Sequence, residues 1–138
     1  MPPLTRWFIK TSFIYFASAL ILGLILALQP FLSLGALSGL FPVYIHMLVF
    51  GWLTQLIFGV VFWMFPKYSS ERPRRSEALG WWTYALLNLG LVLRALAEPL
   101  RSSQANGLTG WMLVLSAAAQ FVAGLAFVVN TWGRVKEK

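Results

Sequence analysis

Four apolar stretches, near residues 11–28, 41–66, 78–98 and 109–132, constrain this chain more than anything else in it. Each is bounded by Pro, Gly, Ser or clustered charge. The second covers 26 residues. At the helical rise per residue it would span about 39 Å, against a hydrocarbon core of about 30 Å. Lipid offers the backbone no partners, so such a stretch must bond to itself as a helix. The chain is 59% hydrophobic and 11% charged, with a mean hydropathy of +0.72, well outside the soluble globular range. The expectation is an all-α integral membrane four-helix bundle, with residues 1–138 forming one domain. The first stretch follows Arg6 and Lys10 as a signal peptide would, but it is long and lacks a small-residue cleavage site before Pro30. It is expected to be retained.

The net charge of +7 invites a nucleic-acid reading, which the placement of the charges removes. Arg6 and Lys10 precede the first stretch, Lys67, Arg72, Arg74 and Arg75 follow the second, and Arg134, Lys136 and Lys138 follow the fourth. Only Arg94 and Arg101 stand elsewhere, and residues 29–40 carry no charge. The positive-inside rule then puts both termini and the middle loop in the cytoplasm, with the protein in the inner (cytoplasmic) membrane. The lipid bilayer is the expected partner and nucleic acid is not. Cysteine is absent, which excludes disulfides and iron–sulfur ligation, and no Cys-x-x-Cys-His motif exists for covalent heme.

A weak repeat at an offset of 65 residues aligns Met47, Leu48, Val49, Gln55, Gly59 and Phe62 with Met112, Leu113, Val114, Gln120, Gly124 and Phe127. Duplication and biased composition explain it equally well. Within the second stretch, Gly51, Gln55 and Gly59 fall about 140°, 180° and 220° from His46, while Phe50, Leu53 and Ile57 lie beside it. The small-residue face suits close helix packing, and Gln55, Gln120 and Asn88 read as interhelical hydrogen bonders.

His46 is the only histidine. An imidazole in hydrocarbon needs a partner, because an unpaired polar group there costs several kcal/mol. With the termini inside, His46 lies about one turn below the outer surface. Arg94 and Glu98 approach the same level four residues apart, with Arg101 beyond them. Tyr44 and Trp111 share that depth, and Phe50 adjoins the histidine. Neutral imidazole can bind heme iron while guanidinium pairs with propionates at the interface. Alternatively His46 bonds a carbonyl or Glu98, and Arg94 pairs with Glu98.

The string HMLVFGWLTQLIFGVVFWMFPK, with His46, Gly51-Trp52, Gly59 and Pro66-Lys67, resembles the second transmembrane helix of heme-copper oxidase subunit I. It is most similar to the nitric oxide reductase and C-type oxidase branch. Leu115-Ser116-Ala117 through Trp132 is similar to helices of membrane proteins linked to nitric oxide response. The resemblance implies that His46 is an axial ligand of a low-spin heme on the outer side. It covers about 25 of the 138 residues. The family's subunit has twelve helices and a histidine cluster for copper and a second heme, which this chain lacks, so a complete oxidase or reductase is excluded. The family subunit is built from three pseudo-equivalent four-helix arcs, which a homo-oligomer could imitate.

The expected function is heme b binding, with iron held by His46 and the cofactor site formed by His46, Arg94, Arg101, Trp111, Tyr44 and Phe50. The role would be electron transfer or nitric oxide or oxygen binding, in a dimer or trimer or beside a respiratory electron donor or larger oxidase or reductase subunit. In a dimer two copies of His46 would ligate one iron, whereas in a trimer Met47 or Met112 are the candidates for the sixth position. The alternative is a heme-free module that assembles or stabilises a respiratory complex.

Overall fold

A computed structural model describes residues 1–31, 39–103 and 105–135. Lys136, Lys138 and Gln104 therefore lie outside the described residues, as does most of the uncharged segment 29–40. Four helices are long and apolar enough to cross a membrane: α1 (Pro3–Leu28), α2 (Leu40–Met64), α3 (Glu77–Ser103) and α4 (Gly107–Trp132). No strand occurs among the described residues.

The helix limits follow local chemistry. α1 starts well before residue 11 because Pro3 fits the first helical position, where no amide hydrogen is needed. α2 ends at Met64, with Phe65 extended (φ −62°, ψ 148°), since the following Pro66 disfavours the helical region for the residue before it. α3 runs through Pro99, beyond the limit at residue 98 that a proline stop predicts, at the cost of one backbone hydrogen bond. Ser102 and Ser103 donate to the carbonyls of Pro99 and Leu100. α4 starts at a reciprocal cap, in which Asn106 accepts from the Thr109 amide and Thr109 accepts from the Asn106 amide.

α3 and α4 form the closest pair, and α1 lies along α2. Small residues set both contacts. A Cβ on Gly51 would stand 2.6 Å from the Tyr15 ring, and one on Gly59 2.7 Å from Phe8, so the Gly51/Gln55/Gly59 face packs on α1. Across the other pair, Ser116 Oγ donates to the Gly90 carbonyl at 2.6 Å. An apolar cluster of Leu4, Phe8 and Phe62 lies toward the end where α1 starts and α2 finishes, and one of Leu87, Leu91 and Ala123 lies midway along α3 and α4. Much of the interior is nonetheless polar, with Thr5, Ser12, Gln55, Thr83, Ser116 and Asn130 buried, while Ile14, Ile21, Leu24, Phe121 and Val128 face outward. Only lipid makes that distribution favourable.

The antiparallel course gathers the start of α1, the end of α2, the start of α3 and the end of α4 at one basic end. There Arg134, 2% exposed, lies across the end of α2. It donates to the carbonyls of Phe62, Phe65 and Pro66 at 3.1, 2.7 and 3.0 Å. These are groups that a helix terminus leaves without partners. Burial lowers the Arg134 pKa, but an arginine starts high enough to remain charged. Arg75 similarly donates to the Val129 carbonyl, from a left-handed conformation (φ 62°). Asn130 and Ser76 exchange two hydrogen bonds between α4 and the turn before α3.

Candidate functional site

His46 stands six residues into α2, near the end of the bundle opposite Arg134. Immediately after it the helix widens into a π-helical run, Met47–Thr54. Such runs usually last a single turn and are frequent at functional sites. Nothing in the hydrophobic pattern announces this one, because Met47–Thr54 is as apolar as the helix on either side of it.

The His46 ring is held on two sides. Its Nδ1 lies 2.9 Å from the Pro42 carbonyl. A carbonyl only accepts, so Nδ1 carries the proton and Nε2 keeps its lone pair. The ring also stacks on Phe50, at 5.4 Å between centroids and 19° between planes. Nε2 has no hydrogen-bond partner among the described residues. The imidazole is thus fixed in tautomer and orientation, with its basic nitrogen available.

Beside it lies a hollow of about 260 Å³ lined by His46 and Phe50 of α2, Arg94 of α3, and Ala117, Gln120 and Phe121 of α4. Positions 117, 120 and 121 share one face of α4. Of these, the sequence singles out only Gln120. Its amide donates to Ser116 Oγ on its own helix at 3.1 Å, while its side chain packs on Gly90 of α3, where a Cβ would stand 2.7 Å from Gln120 Cγ. Phe121, 71% exposed, opens the hollow toward lipid.

Arg94 donates from Nη1 to Glu98 at 2.9 Å, the partner that competes with a propionate. Its Nε is buried and has no acceptor. The guanidinium is therefore neutralised on one side and unsatisfied on another, at the wall of the histidine hollow.

The remaining site residues are placed elsewhere. Tyr44 packs against Gly23 of α1 and beside Phe41. Arg101 and Trp111 line a separate, open hollow with Gly107, Gly110 and Val114, where Trp111 is 68% exposed. Of the six residues expected at the site, the structure assembles His46, Phe50 and Arg94. Two other expectations change. Gln55 is fully buried with neither amide atom hydrogen-bonded, and Asn88 donates to Tyr84 one turn back on its own helix.

No group of three or more His, Cys, Asp or Glu side chains placed to hold a metal occurs among the described residues. The site offers a single imidazole nitrogen able to ligate a metal. Comparison with protein families, with curated proteins and with solved structures finds no match.

Proposed function

We propose that this chain is a heme b-binding membrane protein in which His46 Nε2 would hold the iron. The observation that carries the proposal is the Nδ1 to Pro42 hydrogen bond, which fixes the tautomer and leaves the second nitrogen free, the usual arrangement of a metal-ligating histidine. The donor set fits the group. His46 supplies the ligand, Phe50 limits ring rotation, and the orphaned Arg94 Nε–H is a donor for a propionate carboxylate. Bound heme supplies one-electron transfer or a site for nitric oxide or oxygen. The hollow is half open beside exposed Phe121, so a homo-oligomer, dimer or trimer, would close it. A respiratory electron donor, or a larger oxidase or reductase subunit, is the proposed working partner. The likeness of the His46–Lys67 string to heme-copper oxidase subunit I supports the same reading.

In the proposed orientation the basic end is cytoplasmic, in the inner membrane, which puts His46 on the outer side. Reporter fusions after Lys138 and within residues 104–107 should report opposite sides. A cytoplasmic 104–107 loop would invert the arrangement.

The Arg94–Glu98 pair favours a second reading, a heme-free module of a respiratory complex, because it already neutralises the guanidinium. Absorption spectra of protein purified with heme supplied separate the two. Heme binding predicts a Soret band in the wild type that His46→Ala loses, and its absence in both supports the heme-free module.

A further inference from the structure

We propose that the basic end of α1 binds the phosphate of an anionic phospholipid between Arg6 and Lys10, with Trp7 against the glycerol region. A hollow of about 290 Å³ is lined by Pro3, Arg6, Trp7 and Lys10. These positions share one helix face. That face points away from Leu4, Thr5 and Phe8, which are buried within the bundle.

What separates this pair from the other cations at the same end is that both line one hollow on a single helix face, together with a tryptophan; Lys67 and Arg72 are exposed outside it, and the rest are bonded within the protein. Arg74 is paired with Glu77, Arg75 donates to the Val129 carbonyl, and Arg134 donates to three carbonyls. Arg6 and Lys10 have no carboxylate partner among the described residues. Nor is the positive end of the α1 dipole compensated, since α1 has no side-chain cap and no acidic residue in its first turn. Two cations and an interfacial tryptophan around one hollow, near the uncompensated positive end of a helix dipole, make a site for a phosphate.

The identity of the phosphate follows from what continues below it. Further along the same side of α1, Ile14, Ile21 and Leu24 are exposed, a path for acyl chains directly under the headgroup. A soluble phosphate would gain nothing from that stripe. A phospholipid fills both parts at once.

The test uses the full chain in phosphatidylcholine nanodiscs and reads the Trp7 contribution to fluorescence as the difference between the wild type and Trp7→Phe, because the chain has seven tryptophans. Brominated phosphatidylglycerol should quench this contribution more than brominated phosphatidylcholine at equal mole fraction. In Arg6→Gln/Lys10→Gln, binding should weaken roughly 30-fold, the expectation for two cations near an anionic surface. The control Lys67→Gln/Arg72→Gln removes equal charge from exposed positions at the same end and should retain the excess. Equal quenching by the two lipids, or equal loss in both double variants, would overturn the site. Abolition of the excess by inorganic phosphate at matched concentration would assign the hollow to a soluble anion and overturn the lipid proposal.

Discussion

The two ends of the bundle each contain an arginine shielded from water, and they treat it in opposite ways. At the basic end Arg134 places donors on three carbonyls, and its neighbours Arg75, Ser76 and Asn130 are likewise bonded across elements. At the other end Arg94 holds one carboxylate oxygen and leaves Nε–H without an acceptor, beside a histidine whose Nε2 is also unused. Satisfied polarity fastens helices together. Polarity left open in a medium without water has a cost that only a ligand or a partner can recover. The contrast is between these two arginines, since Thr5 Oγ1 near the basic end and both Gln55 amide atoms are also buried without partners.

The comparison breaks most readily at Arg134. Arg134→Ala strands the carbonyls of Phe62, Phe65 and Pro66 at and just past the end of α2 and is expected to cost about 3 kcal/mol or more, given about 1.5–3 kcal/mol for a charged hydrogen bond. Unfolding by sodium dodecyl sulfate, followed by circular dichroism in mild detergent, would measure it. A loss below that of Arg94→Ala would remove the distinction between the two arginines. Arg134→Lys should recover part of the loss, since an ammonium cannot reproduce the planar fork.

Next in size is Gly51→Leu, which drives a side chain into Tyr15 where a Cβ alone would stand at 2.6 Å. Overpacking of this kind typically costs about 1–3 kcal/mol. Gly124→Leu is the matched control, because nothing lies within 4 Å of its Cβ position. It should be nearly neutral in the same assay. Gly51 and Gly124 tolerating substitution equally would mean that the α1–α2 contact does not set the packing.

Arg94→Gln should have the smallest effect on stability, about 1–2 kcal/mol from the loss of one partly shielded charged hydrogen bond. Its effect on the site should be larger. If the orphaned Nε–H serves a propionate, heme retention falls, or the midpoint potential drops because a nearby cation favours the reduced state. An unchanged spectrum and potential with lowered stability would confine Arg94 to its pair with Glu98.

Much of this architecture is legible in the sequence, because lipid leaves few solutions. The four spans follow from length and hydropathy, and the Gly51/Gln55/Gly59 face follows from helical phase. Helix ends were less legible: Pro99 reads as a stop, yet α3 passes through it by giving up a single backbone bond. Arg134 reads as one more topogenic charge, and only the fold shows it turned onto the end of α2. Its signal was Pro66, which leaves helix-terminal carbonyls in search of a donor. His46, Phe50 and Arg94, which share depth or helical phase in the sequence, line one hollow. Depth alone cannot tell which side of a helix a residue occupies, and so Tyr44, Arg101 and Trp111 were grouped with His46 although they lie elsewhere. The π-helical run after His46 has no compositional mark, and it changes the geometry from which phase is counted.

The central claim is that His46 Nε2 binds heme iron, and titration of heme into the purified apoprotein tests it most directly. The wild type should develop a saturable Soret band, His46→Ala should not, and added imidazole should restore the band in the variant by occupying the vacated position. A wild-type titration with no saturable band, or one unchanged by His46→Ala, would contradict the account.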